Sequence, residues 1–191
     1  MQNSRILGLD LDGTLADHTF AKIAIARELG YTLSPPQTAS AILRHIMQPE
    51  HYRTLQKRLY HDFAPHSPKT VGAEEALDEL RVRGWDFLVI SRRGGEDSQD
   101  LARQWVVQEY AGMIPSEQVF FVEEDAAKNT VAKEHGVLGY VDDQQEVLNY
   151  LASVKYRLLF DPFENFLTKT PPHIFLMHAW RELPQLLAPF E

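Results

Sequence analysis

Two carboxylates close an apolar run near the start of the chain, Ile6-Leu7-Gly8-Leu9-Asp10-Leu11-Asp12-Gly13-Thr14-Leu15. In an extended backbone, residues i and i+2 point to the same side, so Asp10 and Asp12 can reach one small volume. Two anions that close are unfavourable unless a cation or a shared proton compensates them. Gly13 lets the backbone turn sharply where the strand ends. A carboxylate nucleophile, an acid/base partner and a divalent metal have this layout at the carboxyl end of a parallel strand, where open α/β sheets bind ligands. The plainer reading of the same residues is a strand followed by an acidic turn, since Asp and Gly are ordinary turn residues.

Such a strand needs a sheet around it. Strand-like segments fall at 5–10, 86–91, 118–122, 137–142 and 156–160, with a further apolar run at 173–177. Helix-like segments at 72–83, 96–111, 125–135 and 144–153 separate most of them. This alternation predicts an α/β fold, a Rossmann-like doubly wound parallel sheet with helices on both faces. The stretch from Ala16 to Lys69 breaks the pattern with helix-like segments at 18–30, 38–47 and 50–63, punctuated by prolines. The expected organisation is therefore a core of residues 1–15 and 70–191 with a helical insertion, 16–69.

At 191 residues the chain can bury one good core and a small insertion. Its formal charge of −8 argues against a nucleic-acid polymer or an anionic membrane as partner. A small phosphorylated substrate is compatible with that charge, because a bound cation and a well-placed Lys can invert the local field. There is no Cys, so carboxylates and histidines are the available metal ligands. The N-terminus enters the first strand without the basic start and apolar run of a secretory signal. No uninterrupted apolar stretch approaches the roughly 20 residues that span a bilayer. Cytoplasm is the expected location, and the sequence assigns no oligomeric state.

The segment Asp10-Leu11-Asp12-Gly13-Thr14 resembles the first motif of the haloacid dehalogenase-like (HAD) phosphatase superfamily, Asp-x-Asp-Gly-Thr/Val. The other three motifs of that superfamily have counterparts in order. Ser91 closes Trp85-Asp86-Phe87-Leu88-Val89-Ile90-Ser91, Lys128 begins a helical stretch, and Asp142-Asp143 follows Val137-Leu138-Gly139-Tyr140-Val141. The resemblance implies a Mg²⁺-dependent phosphomonoester hydrolase with Asp10 as nucleophile and Asp12 as acid/base. It implies Ser91 and Lys128 on the phosphoryl oxygens, and Mg²⁺ held by Asp10, the Asp12 carbonyl, and Asp142 or Asp143. Arg92, next to Ser91, would bind a second phosphate or acidic group, or simply occupy the surface. Asp12 separates phosphatases and mutases from transport ATPases, which have Thr there, and from dehalogenases, which lack the pair. A domain of this type that binds a ligand without turnover is the alternative from a different class.

The insertion corresponds to the small helical cap of many such phosphatases. Five histidines (His18, His45, His51, His61 and His66) fall in it at spacings that match no metal motif, and solvated positions are the expectation for all but His18. His18 follows the nucleophile loop and, with Phe20, is a candidate substrate contact. The tail, Phe160-Asp161 with Asn165 and then Trp180-Arg181-Glu182-Leu183, resembles the 5′(3′)-deoxyribonucleotidase-like group. That resemblance implies a nucleoside or deoxynucleoside monophosphate as substrate, with a sugar or acid phosphate as the alternative. The group often has Thr-Ser or Thr-Ala followed by Pro where this chain has Ser91-Arg92-Arg93.

Overall fold

The computed structural model describes residues 5–166 and 171–190. In chain order these form β1 (Arg5–Leu9), α1 (Thr19–Glu28), α2 (Ser40–Ile46), α3 (Pro49–Arg58), α4 (Ala73–Val82), β2 (Trp85–Arg92) and α5 (Glu96–Glu109). They continue as β3 (Val119–Val122), α6 (Lys128–Glu134), β4 (Val137–Asp142), α7 (Gln145–Tyr150), β5 (Tyr156–Phe160), β6 (Ile174–Met177) and α8 (Leu183–Leu187). Every expected strand is present, and helix ends differ by a few residues. The last expected insertion helix is split, because α3 passes into a π-helical turn at Leu59–Phe63.

All six strands are parallel, in the order β3-β2-β1-β4-β5-β6. Alternate residues of the central strands feed two apolar layers, as a sheet covered on both faces requires. Phe87 and Val89 of β2 join α4, α5 and α8 through Leu77, Leu80, Trp105, Val106 and Leu183 on one side. Leu88 and Ile90 join Ala132 of α6 and Leu148 of α7 on the other. The strand order reverses between β1 and β4, which makes the carboxyl ends of those two strands the topological switch point. Gly8 permits their close approach, since a Cβ there would overlap the Tyr140 ring.

Helices α1 to α3 pack around an apolar cluster of their own, including Ile25, Ala26, Leu43, Leu55 and Leu59. Their chain leaves and re-enters the core side by side. The Asp17 N–H donates to the Pro68 carbonyl at 2.9 Å and the Thr70 N–H to the Leu15 carbonyl at 2.8 Å. The late-strand loop also reaches this region, with the Asn165 side-chain amide donating to the Pro36 carbonyl at 3.1 Å.

Candidate active site

Asp10 follows β1 directly, and its N–H donates to the Val141 carbonyl at 2.9 Å, which fixes it beside the end of β4. Asp142 closes β4 one strand away, and Lys128 heads α6. The Lys128 ammonium, 2 % exposed, donates to Asp10 Oδ1 at 2.6 Å and to Asp142 Oδ2 at 2.9 Å. The other Asp142 oxygen accepts from the Gln144 N–H at 2.9 Å. Carboxylate oxygens of Asp10, Asp142 and Asp143 lie within 4.8 Å of one another. Asp143 Oδ1 is buried and has no hydrogen-bond partner, which normally costs about 1–3 kcal/mol or more for a charged group.

Two acids therefore share the Lys128 ammonium, and a third stands beside them. Burial raises the Asp10 carboxyl, with Lys128 pulling against it. Burial likewise lifts Asp142 well above the usual range against the pull of Lys128. Asp143 is pushed up to about 7 by burial and then by the Asp10 charge. Burial disfavours the Lys128 cation, but Asp10 and Asp142 outweigh it and hold the ammonium charged. Excess carboxylate, oxygen donors only and one orphaned buried oxygen fit a hard divalent cation.

Asp12 sits in different company. Its Oδ1 accepts from His18 Nε2 at 2.8 Å and from the Arg93 guanidinium, and its Oδ2 accepts from the Ser91 hydroxyl at 3.4 Å. Burial alone would raise its pKa, yet Arg93 and His18 together hold the carboxyl well below the ordinary range. Arg93 is buried, lies 4.6 Å over the ring of Tyr60 and donates to the Ser98 carbonyl at 3.3 Å.

Asp10, Asp12, Ser91, Arg92 and Lys128 line one small cavity of about 40 Å³, roofed by Leu43, Tyr52, Leu55, Gln56, Leu59 and Tyr60. The Arg92 side chain is half exposed and pairs with Asp125 at 3.3 Å. A second cavity of about 310 Å³ lies between α1 and the loops after β5 and β6, and Lys22 lines both. His18 and Asp143 border this larger space. Phe20, expected as a substrate contact, lines neither cavity and is 78 % exposed.

Sequence reading passed over Arg93, Ser67 and Lys22. Arg93 looked like half of an Arg-Arg pair, and only the direction of the chain after β2 tells which one turns inward. Ser67 carries no local signal in the sequence, yet its hydroxyl lies 2.8 Å from His18 Nδ1. Lys22 sits on an insertion helix with nothing local to mark it. Of the other insertion histidines, His45, His61 and His66 are exposed, while His51 lies 3.0 Å from the Tyr31 hydroxyl.

Comparison with solved structures finds the same fold widely. A putative HAD-hydrolase, YfnB, from Bacillus subtilis, bound to magnesium, superposes with a TM-score of 0.62 at 15 % identity, covering 98 % of this chain and 100 % of that one. A HAD family hydrolase from Deinococcus radiodurans R1 with bound phosphate and sodium gives 0.58 at 18 % identity, covering 97 % and 95 %. A putative β-phosphoglucomutase from Bacteroides vulgatus gives 0.61 at 15 % identity, covering 98 % and 90 %. No curated protein matches the chain. The family model described as 5′ nucleotidase, deoxy (pyrimidine), cytosolic type C protein matches residues 4–188. That match takes in β1 with its two aspartates, the helical insertion, Ser91, Lys128, the acidic pair and the tail. The chain is thus a phosphatase of the HAD superfamily and belongs to the 5′ nucleotidase, deoxy (pyrimidine), cytosolic type C family.

Proposed function

We propose that this phosphatase hydrolyses nucleoside or deoxynucleoside monophosphates through a phosphorylated Asp10, with Mg²⁺ as its cofactor. The observation that carries the chemistry is the convergence of the Asp10, Asp142 and Asp143 carboxylates, with the buried Lys128 ammonium bonded to the first two. The family match supports the nucleotide substrate, and its cytosolic type agrees with the expected cytoplasmic placement.

An Asp10 oxygen attacks phosphorus, the bond to the leaving oxygen breaks, and Asp12 delivers a proton to that oxygen. Water then attacks the acyl phosphate, Asp12 takes its proton, and inorganic phosphate leaves with Asp10 restored. Arg93 and His18 favour the carboxylate form of Asp12, the form the second step uses. A phosphate anion placed beside it works toward the protonated form needed first, because a neighbouring like charge raises a carboxyl pKa. Lys128 and Ser91 hold the phosphoryl oxygens as charge redistributes. Asp10, Asp142, Asp143 and the Asp12 carbonyl would hold Mg²⁺, which supplies charge neutralisation between nucleophile and phosphate.

Residues 16–69 act in this scheme as a cap over a core of 1–15 and 70–191. The small cavity has room for a few water molecules, so its roof lifts before a phosphomonoester enters. Tyr52 and Gln56 then offer an aromatic face and an amide to a base. Pairing with Asp125 offsets the Arg92 charge and weighs against a second phosphate on the substrate.

The test is kcat/KM across nucleoside, deoxynucleoside, sugar and acid monophosphates, with Mg²⁺ and after chelation, for the wild type and Asp10→Asn. Nucleotides should rank first, and both chelation and the substitution should remove nearly all turnover. A sugar or acid phosphate that outranks every nucleotide overturns the substrate class. Full turnover in chelator overturns the metal, and a covalent phosphate trapped elsewhere overturns Asp10.

A further inference from the structure

His18 stands where the chain enters the insertion, and Ser67 where it leaves. The two segments are already joined by backbone hydrogen bonds between Asp17 and Pro68 and between Leu15 and Thr70. His18 is 2 % exposed and bridges this joint to Asp12, with Nδ1 2.8 Å from the Ser67 hydroxyl and Nε2 2.8 Å from Asp12 Oδ1. A carboxylate can only accept, so the ring proton facing Asp12 lies on Nε2. Nδ1 faces the Ser67 hydroxyl, which can donate or accept and also lies 3.3 Å from the Phe63 carbonyl, so Ser67 holds the ring in place from the hinge side. Ser67 is itself anchored, because its carbonyl accepts from the indole N–H of Trp105 at 2.9 Å on the core side.

We infer that His18 is a positioning residue, which with Ser67 ties the rotamer of Asp12 to the hinge of the helical insertion. The insertion thereby acts on the acid/base carboxylate as well as roofing the site. A second contact runs the same way, since Arg93, the other donor on Asp12 Oδ1, lies against Tyr60 of the insertion. Movement at the hinge changes where Asp12 can place or collect a proton.

This inference rests on Asp12 being the acid/base group, which sets the form of the test. An alkoxide leaving group needs a proton as its bond to phosphorus breaks, whereas p-nitrophenolate departs with little help. His18→Phe keeps ring volume and removes both nitrogens. Its kcat/KM ratio for an alkyl or nucleoside phosphate over p-nitrophenyl phosphate should fall about tenfold or more, a fraction of the 10²–10⁴ that general acid catalysis supplies. The change should appear in kcat, with KM shifted less. His18→Gln, whose amide can still donate to Asp12, should restore part of the ratio. Ser67→Ala should lower it in the same direction by a smaller factor. A purely structural His18 would depress both substrates equally, and an equal loss, or no loss, overturns the inference. Should His18→Phe not fold, His18→Gln and Ser67→Ala carry the test: Ser67→Ala lowers the ratio if the inference holds and leaves it unchanged if not. Asp12→Asn is the control. If it shows no leaving-group dependence, Asp12 is not the acid/base group, and the proposed chemistry fails first.

Discussion

Gly13 shows how closely the site is built at the scale of one residue. Its φ of +96° lies where a side chain is strained by roughly 1–2 kcal/mol, and a Cβ there would come 2.7 Å from Asp143 Oδ2. Gly13→Ala should therefore move Asp143 as well as strain the loop. We expect Mg²⁺ affinity, measured by calorimetric titration, to fall about 10- to 100-fold, as when the support of a metal ligand is disturbed. An unchanged affinity would show that Asp143 does not contact the ion. The role of Gly13 as a turn was legible from the sequence, because Asp-x-Asp-Gly at the end of an apolar run demands one. Its second role was not legible, since it depends on a carboxylate 130 residues away. The same distinction separates Arg92 from Arg93. Neighbouring residues on an extended backbone point opposite ways, and the sequence alone does not say which of the two faces Asp12.

At the scale of elements, the alternation of apolar runs with amphipathic segments was enough to predict every strand of the sheet. Adjacency was the harder part. The pairing of β1 with β4, which brings Asp10 beside Asp142, rests on close packing at Gly8 rather than on any local signal. Gly8→Ala would drive a methyl group into the buried Tyr140 ring, and overpacking of this kind typically costs about 1–3 kcal/mol. Tyr140→Leu removes the ring but also the hydrogen bond from its hydroxyl to the Ile90 carbonyl at 2.6 Å. Denaturant unfolding should find the double variant less destabilised than the sum of the two singles, because the shorter side chain relieves the clash. Strict additivity would mean that the two strands part freely at this point. The insertion was legible as helical and misleading in detail. Its apolar residues recur at helical spacing, but several faces carry them, so the sequence did not place Phe20 in solvent.

For the whole molecule, the sequence could report only a formal charge of −8; folding decides where that charge is concentrated. Asp10, Asp142 and Asp143 are gathered in the buried centre, and all three bind protons more readily there than in water. For Asp143 the carboxyl moves from 3.8 to about 7, chiefly through burial. Across that window the folded state carries more protons than the unfolded chain, so stability falls as pH rises, and the loss is complete above the folded value. The usual carboxylate trend is reversed, because burial and the Asp10 charge outweigh the pull of Lys22 and Lys128 on this group. Chelated protein should therefore melt at a lower temperature at pH 8 than at pH 6. On the proposed function, Mg²⁺ bound there would substitute for those protons and cancel the slope, so its stabilising effect should grow with pH. At 100 times its dissociation constant a ligand contributes about 2.7 kcal/mol. For a domain of this size that corresponds to roughly 5–10 °C in Tm. The comparison includes Asp143→Asn, which should flatten the slope of the chelated protein while every other ionisable group remains. A chelated wild type whose Tm is level or rising from pH 6 to 8, with Asp143→Asn following the same curve, would show that the acidic centre carries no electrostatic load for a cation to relieve.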